Sequence, residues 1–472
     1  MVENEIHPNG VNGLTGHYLL EPLSSAEVAE RGRRPTDVPT SQWLQLALDQ
    51  ISQPRFGLPF DVDPEHVGEA GWGVVVSTAD TSGALDGLAP LIGRRGRQAG
   101  ERFRVLDHRP GESWPAWLGR HGVGPGTVDP NKVPYYLLLA GSPELIPFSF
   151  QYLLDVEYAV GRIDFDDVAG YRSYADAVVG YEEAARPPHD DTVVFFGTRH
   201  DFDAATELSA DRLVQPLAEC FGPGGRYEHA IGAGRTRTVV GEPATKLSLA
   251  GLLDGSGPDG RPALLFAATH GMGGWPPGHP DQRARHGALL CQDWPGFGRI
   301  DPAYYYAAAD LGADARPHGL IAFFFACYGA GTPRRDPFTH RAGDEPPSVA
   351  PQPFVAALPK KLLGAGALAV IGHVERAWGY SFVFGGQAQL VPFQNAIGRI
   401  LTGSTVGFAM KDFNERYAAL SANLADILED IGHGRVVPDA DLARLWTERN
   451  DAQNYILLGD PAVTSRRAAS AW

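Results

Sequence analysis

Ala263-Leu264-Leu265-Phe266-Ala267-Ala268-Thr269-His270-Gly271 and Leu320-Ile321-Ala322-Phe323-Phe324-Phe325-Ala326-Cys327-Tyr328-Gly329 share one plan. Each is an apolar run of strand length, each ends on a side chain capable of chemistry, and each then enters a glycine-bearing loop. Unbroken apolar runs mark strands covered on both faces, as in parallel sheets, where alternation of apolar and polar residues is lost. Further short runs at 73–77, 135–140, 192–196 and 367–372 read the same way. Helical stretches are expected at 173–185, 204–220, 355–363, 390–401 and 407–431. Strands alternating with helices predict an α/β fold with a mostly parallel sheet and helices on both faces.

Working outward, the first ~70 residues hold one amphipathic helix candidate, 41–51, among segments of weak periodicity. They read as an N-terminal extension, 1–72. Segment 185–191, with Pro187, Pro188 and His189, reads as a linker, dividing a first α/β subdomain at 73–186 from a second at 187–472 that holds His270 and Cys327. Two long stretches, 271–287 and 329–349, are rich in Gly, Pro and charge and are expected as surface loops. The cluster Arg94-Arg95-Gly96-Arg97 is likewise expected in an exposed loop.

Composition narrows the function. The chain has 472 residues, 40 Lys plus Arg against 56 Asp plus Glu, and a formal charge of -16, so nucleic acid and anionic membranes are not expected partners. Its three cysteines, Cys220, Cys291 and Cys327, are odd in number and sparse, which fits a reducing compartment and a cytoplasmic protein. The start has no signal-like apolar region, and no stretch approaches the ~18 apolar residues of a membrane span. Gly364-Ala365-Gly366 precedes a strand and so does not make a dinucleotide fingerprint. The spacings of His279, His286 and Cys291 match no zinc motif. Neither metal nor cofactor is expected.

In an open α/β sheet the carboxyl ends of neighbouring strands face one crevice, so His270 and Cys327 are expected to converge. A thiol needs a base to become a thiolate, and a histidine supplies it and then protonates the leaving amine. Gly271, lacking a Cβ, lets its N–H join that of Cys327 in an oxyanion hole. Taken singly, a histidine after a strand is more often structural and a free cysteine more often core. The order His then Cys, 327 - 270 = 57 residues apart, lies near the ~50-residue spacing of caspase-type enzymes. His373 also ends a strand and is the rival base, but no glycine follows it.

Thr269-His270-Gly271 with Ala326-Cys327 resembles the dyad region of the clan that includes caspases, separases and gingipains. Tyr136-Leu137-Leu138-Leu139-Ala140-Gly141-Ser142-Pro143-Glu144-Leu145-Ile146-Pro147 is similar to the gingipain Leu-Val-Gly-Asp-x-x-x-Ile-Pro segment. Tyr158-Ala159-Val160-Gly161-Arg162-Ile163 is similar to the gingipain Ile-Gly-Arg strand, and Leu458-Gly459-Asp460-Pro461-Ala462 to its closing Gly-Asp-Pro. The likeness runs from about residue 73 to 463.

This resemblance implies a cysteine endopeptidase with a caspase-like fold and protein substrates. It also implies an aromatic wall for the substrate side chain before the cut bond, Trp378, and acidic residues after the strand ending near Phe196. Of Asp201, Asp203 and Glu207, rough spacing assigns Glu207 to the substrate and Asp201 to orienting the histidine, with Asp203 open to either role; an acid in the pocket favours cleavage after Arg or Lys. Thr332-Pro333-Arg334-Arg335-Asp336-Pro337 sits where caspase-like enzymes carry an activation linker, so processing after Arg334 or Arg335 by itself or by a partner protease is expected. The Arg94–Arg97 cluster is a second, weaker processing site. Two rivals stand beside this reading: a silent caspase-like scaffold, and a thiol hydrolase of small amides or esters.

Overall fold

The computed structural model describes residues 5–6, 9–33, 58–232, 235–257, 260–336, 338–339, 345–384 and 387–466. The helix expected over 41–51 lies outside the described residues. Among them, ten strands form one central sheet with helices around it. In chain order these are β1 (Trp72–Ser77), β2 (Phe103–His108), β3 (Tyr136–Ala140), β4 (Ala159–Ile163) and β5 (Asp190–Gly197). There follow β6 (Thr236–Val240), β7 (Pro262–Ala268), β8 (Ile321–Phe325), β9 (Ala369–His373) and β10 (Tyr455–Gly459). Across the sheet the order is β2-β1-β3-β4-β10-β9-β8-β7-β5-β6.

All neighbours in this sheet pair in parallel except β9 and β10, which run antiparallel from Ala369 against Gly459 to His373 against Tyr455. The sheet is therefore two parallel halves of opposite direction joined at one seam. The chain passes from the first half to the second between β4 and β5, but β10, from the far end of the chain, returns to complete the first. The mostly parallel α/β class expected from the sequence is what the chain adopts, and the reason is visible in burial. Every residue of β7 and β8 is buried, so their apolar runs have no solvent face to alternate with. Fully burying a large apolar side chain contributes about 1.5–3 kcal/mol, and Phe323, Phe324 and Phe325 follow one another here.

Three of the segments quoted above serve the scaffold. Arg162, fully buried on β4, donates from Nη1 to the Gly141 carbonyl at 3.1 Å and from Nη2 to the Ile146 carbonyl at 2.7 Å. It also donates from Nε to Gln151 Oε1 at 2.9 Å, so it holds the 141–147 loop against the sheet. Asp460, just past β10, accepts from Arg95 Nε at 2.6 Å and from Trp72 Nε1 at 2.9 Å.

This corrects the reading of Arg94–Arg97 as an exposed loop. The cluster lies in a helix, Ala89–Ala99, and Arg95 is 1% exposed, its guanidinium bridging Asp460 and Glu182. A buried, ion-paired helical arginine is no processing site without unfolding. Among the described residues no helix is long and apolar enough to cross a membrane.

Candidate functional site

β7 and β8 are adjacent and in register, Ala268 opposite Phe325. His270 and Cys327 each lie two residues beyond that last pair, so the two strand tips bring them to the same level. The Thr269 N–H still donates to the Phe325 carbonyl at 3.2 Å, carrying the alignment past the strands. Gly271 is required by close approach: a Cβ there would stand 1.8 Å from the Cys327 carbonyl oxygen and 2.6 Å from its nitrogen. Just after the cysteine, Tyr328 adopts a positive φ of 57°, unusual for a bulky residue, and its N–H donates to the Glu375 carbonyl at 2.7 Å.

The imidazole of His270 is fully buried and bonded at both nitrogens. Nε2 faces Asp203 Oδ2 at 2.6 Å, and Nδ1 accepts the N–H of Gly10 at 2.7 Å. An Nδ1 that accepts is unprotonated, so the ring's proton is on Nε2, donated to the carboxylate. Asp203 caps the helix Ala204–Ser209 and accepts from the hydroxyls of Thr206 at 2.7 Å and Tyr18 at 2.5 Å. Burial alone would raise its carboxyl, but the electrostatic attraction and hydrogen bond of the His270 ring, with the hydrogen bonds of Tyr18 and Thr206, hold it well below the usual carboxylate range.

The acids separate cleanly. Asp201, expected to orient the histidine, is 91% exposed and ion-paired to Arg199 at 2.6 Å; Asp203 takes the place beside the ring. Glu207, expected to meet a basic substrate side chain, is also paired to Arg199, at 2.7 Å. Its carboxylate is a half-exposed surface group that already has a counter-charge. Counting along the loop missed this because it ignored capping: an Asp immediately before a helix bonds to the first turn and is thereby fixed in direction.

The Cys327 thiol is fully buried, donates to the Asn9 carbonyl at 2.7 Å and accepts from the Ala377 N–H at 3.2 Å. Burial pushes it up to about 12, against smaller lowering by the Ala377 bond and the Arg376 charge. Arg376 is itself buried between Glu375 and Asp336, with Asp336 Oδ2 at 2.5 Å. Trp378 is fully buried, its ring 4.4 Å from that of Phe338, in an apolar cluster that includes Ile6 and Leu23. His373, the rival base, is packed against Tyr455 and Phe325, with Nε2 3.4 Å from Asp451.

Arg334 is exposed, while its carbonyl accepts the Val349 N–H at 2.9 Å; Arg335 pairs with Glu345 at 2.9 Å. The expected surface loop 329–349 is thus tied down at its base. Among the described residues no group of three or more His, Cys, Asp or Glu is placed to hold a metal ion.

Sequence reasoning missed Asn9, Gly10 and Tyr18, which touch the dyad and its carboxylate. The extension has no periodicity to read, and its one signal was the pair of turn-forming dipeptides Asn9-Gly10 and Asn12-Gly13.

Among solved structures, the chain is similar to one described as "Structure of Protease", with a TM-score of 0.47 and 16% identity, covering 84% of this chain and 78% of that one. It is also similar to the separase–securin complex of Saccharomyces cerevisiae, with a TM-score of 0.31 and 11% identity, covering 70% of this chain but only 16% of that one. No protein-family model matches the chain, and neither does any curated protein. These likenesses are too loose to carry an activity or a residue's role across.

Proposed function

We propose that the chain is a cysteine endopeptidase acting on proteins, with Cys327 as nucleophile and His270 as general base and acid. The observation that carries this reading is the buried Asp203 carboxylate bonded to one nitrogen of the His270 imidazole, while the other nitrogen and the Cys327 thiol bond to the two sides of a single peptide group, that between Asn9 and Gly10. That carboxylate fixes the tautomer and stabilises the imidazolium formed when the thiol gives up its proton. The backbone N–H groups of Gly271 and Cys327 are the proposed oxyanion donors. The burial and raised thiol of Cys327 favour the scaffold reading to this extent: the site as it stands is closed, and the segment over it must move for an outside substrate to enter.

A preference for Arg or Lys draws no support from Asp201 or Glu207, both neutralised by Arg199. Trp378 is proposed to wall an earlier substrate position, since it shares its cluster with Ile6. Processing after Arg334 or Arg335 by a partner protease remains part of the proposal, as does a reducing, cytoplasmic setting for the three unpaired cysteines.

The test is hydrolysis of peptides bearing Arg, Lys, Asn or Asp before the cut bond. Turnover is expected to fall by about 10²–10⁴-fold in His270→Ala and to vanish in Cys327→Ala. Equal turnover in Cys327→Ala would defeat the reading. Replacing both Arg334 and Arg335 is expected to leave the enzyme latent; full activity from the outset in that variant would remove the processing step alone.

A further inference from the structure

Residues 9 and 10 of this same chain lie in the candidate site as a substrate peptide would. The Asn9 N–H donates to the Ala377 carbonyl at 3.2 Å, and the Asn9 carbonyl accepts from the Cys327 thiol at 2.7 Å. The next amide, that of Gly10, donates to His270 Nδ1 at 2.7 Å. One peptide bond therefore has its carbonyl against sulfur and its nitrogen against imidazole. Acyl transfer joins sulfur to the carbonyl side of a peptide bond and protonates its nitrogen side, so this bond lies with each end toward the group that would act on it. A chain crossing the other way would present the wrong group to each.

The crossing is held on both sides of the bond. Upstream, Ile6 pairs with Leu23 and packs in the cluster of Trp378 and Phe338. Downstream, Val11 and Asn12 lie parallel to Met272 and Gly273, and the Gly13 N–H donates to the Gly273 carbonyl at 2.9 Å. The chain then turns back through Leu19, whose N–H donates to the Gly10 carbonyl at 3.1 Å, and Tyr18 reaches Asp203. Main-chain pairing along a cleft rim is a general way to seat an extended peptide.

The geometry points to this chain cutting itself between Asn9 and Gly10, and to a substrate class of peptides with asparagine before and glycine after the broken bond. This rests on the cysteine-peptidase reading above. Glycine is demanded by space and conformation: Gly10 has φ +109°, and a Cβ would stand 2.8 Å from Cys327 Sγ and 2.5 Å from Leu19 Cδ1. Asparagine suits a buried and neutral position, since Asn9 is 4% exposed. A basic side chain there would need a carboxylate, yet Asp203 serves His270, Asp201 and Glu207 serve Arg199, and Asp336 and Glu375 serve Arg376.

In the step, the Gly10 N–H leaves His270 Nδ1, the thiol turns its proton from the Asn9 carbonyl to that nitrogen, and sulfur bonds to the Asn9 carbonyl carbon as the carbonyl π pair moves onto oxygen. The carbon–nitrogen bond then breaks, and the Nδ1 proton goes to the Gly10 nitrogen, which leaves as a free amine. Water, deprotonated by the same Nδ1, attacks the thioester, leaving a carboxyl group on Asn9 and restoring the thiol. No electrons are gained or lost.

The experiment follows the full chain by intact mass and N-terminal sequencing in wild type, Cys327→Ala and Asn9→Arg. In parallel, each protein is given the peptide Ile-His-Pro-Asn-Gly-Val-Asn-Gly or its counterpart with Arg in place of Asn. Wild type is expected to gain an N-terminus at Gly10, Cys327→Ala to stay whole, and Asn9→Arg to slow by roughly 10–200-fold, the range for one lost pocket contact. The Asn peptide is expected to be cut faster than the Arg peptide, a result independent of whether Asn9→Arg folds. Scission at equal rate in Cys327→Ala would mark the spontaneous chemistry of Asn–Gly bonds and overturn the inference. Wild type that stays whole at this bond while cutting the Arg peptide through Cys327 would also overturn it, leaving the peptidase reading in place. No Cys327-dependent cleavage of either would sink both.

Discussion

At Asp203 an imidazole and two hydroxyls meet one carboxylate, and none of the three donors is adjacent to it in sequence. Replacing it by asparagine keeps the shape but presents an amide where the ring needs an acceptor, so the neutral tautomer with a free Nδ1 loses its support. Asp203→Asn is expected to lower turnover by about 10²–10⁴-fold with binding little changed, read as kcat against KM. The same residue has a signature in acid. Its folded carboxyl titrates below the unfolded value of ~3.9, so its contribution to stability is present above that pH and is lost as pH falls through the lower folded value. Asp203→Asn is expected to flatten the acid end of the stability curve, measured by urea melts at stepped pH. At this scale the placement of His270, Cys327 and Gly271 at neighbouring strand tips was legible, because strand tips are marked by apolar runs. Asp203 was visible only as one of three acids, since selecting it requires knowing which of them the helix start pins.

The helix Ala89–Ala99 shows what sequence patterns conceal. Three arginines among glycines have the composition of a loop, but Arg95 faces inward because Asp460, 365 residues away, supplies its counter-charge. A pair made only in the folded state leaves no local trace. Removing one member strands the other: Arg95→Ala leaves Asp460 buried with Trp72 as its remaining long-range donor, and is expected to cost about 3–5 kcal/mol, measured by denaturant melts. Arg162 differs in that its partners are backbone carbonyls of the 141–147 loop, so it acts as a clamp on a turn. The work of these segments as fasteners of the sheet was not readable from the sequence.

Across the whole molecule, the α/β class was legible from alternating strands and helices. The seam was not. Which strands neighbour one another depends on crossovers that composition does not encode, and β10 inserts between β4 and β9 from the opposite end of the chain. The N-terminal extension poses the same difficulty in another form, since its contacts with the dyad join residues 260 and 318 positions apart.

Because the peptide lying over Cys327 belongs to the molecule it covers, diluting the sample does not dilute it. A tethered segment faces its site at a local concentration on the order of millimolar, so an added substrate at micromolar levels competes poorly until the tether is cut or withdrawn. Progress curves are accordingly expected to start with a delay whose length is the same at every protein concentration. A delay that shortens as more protein is added would mean that one molecule opens another.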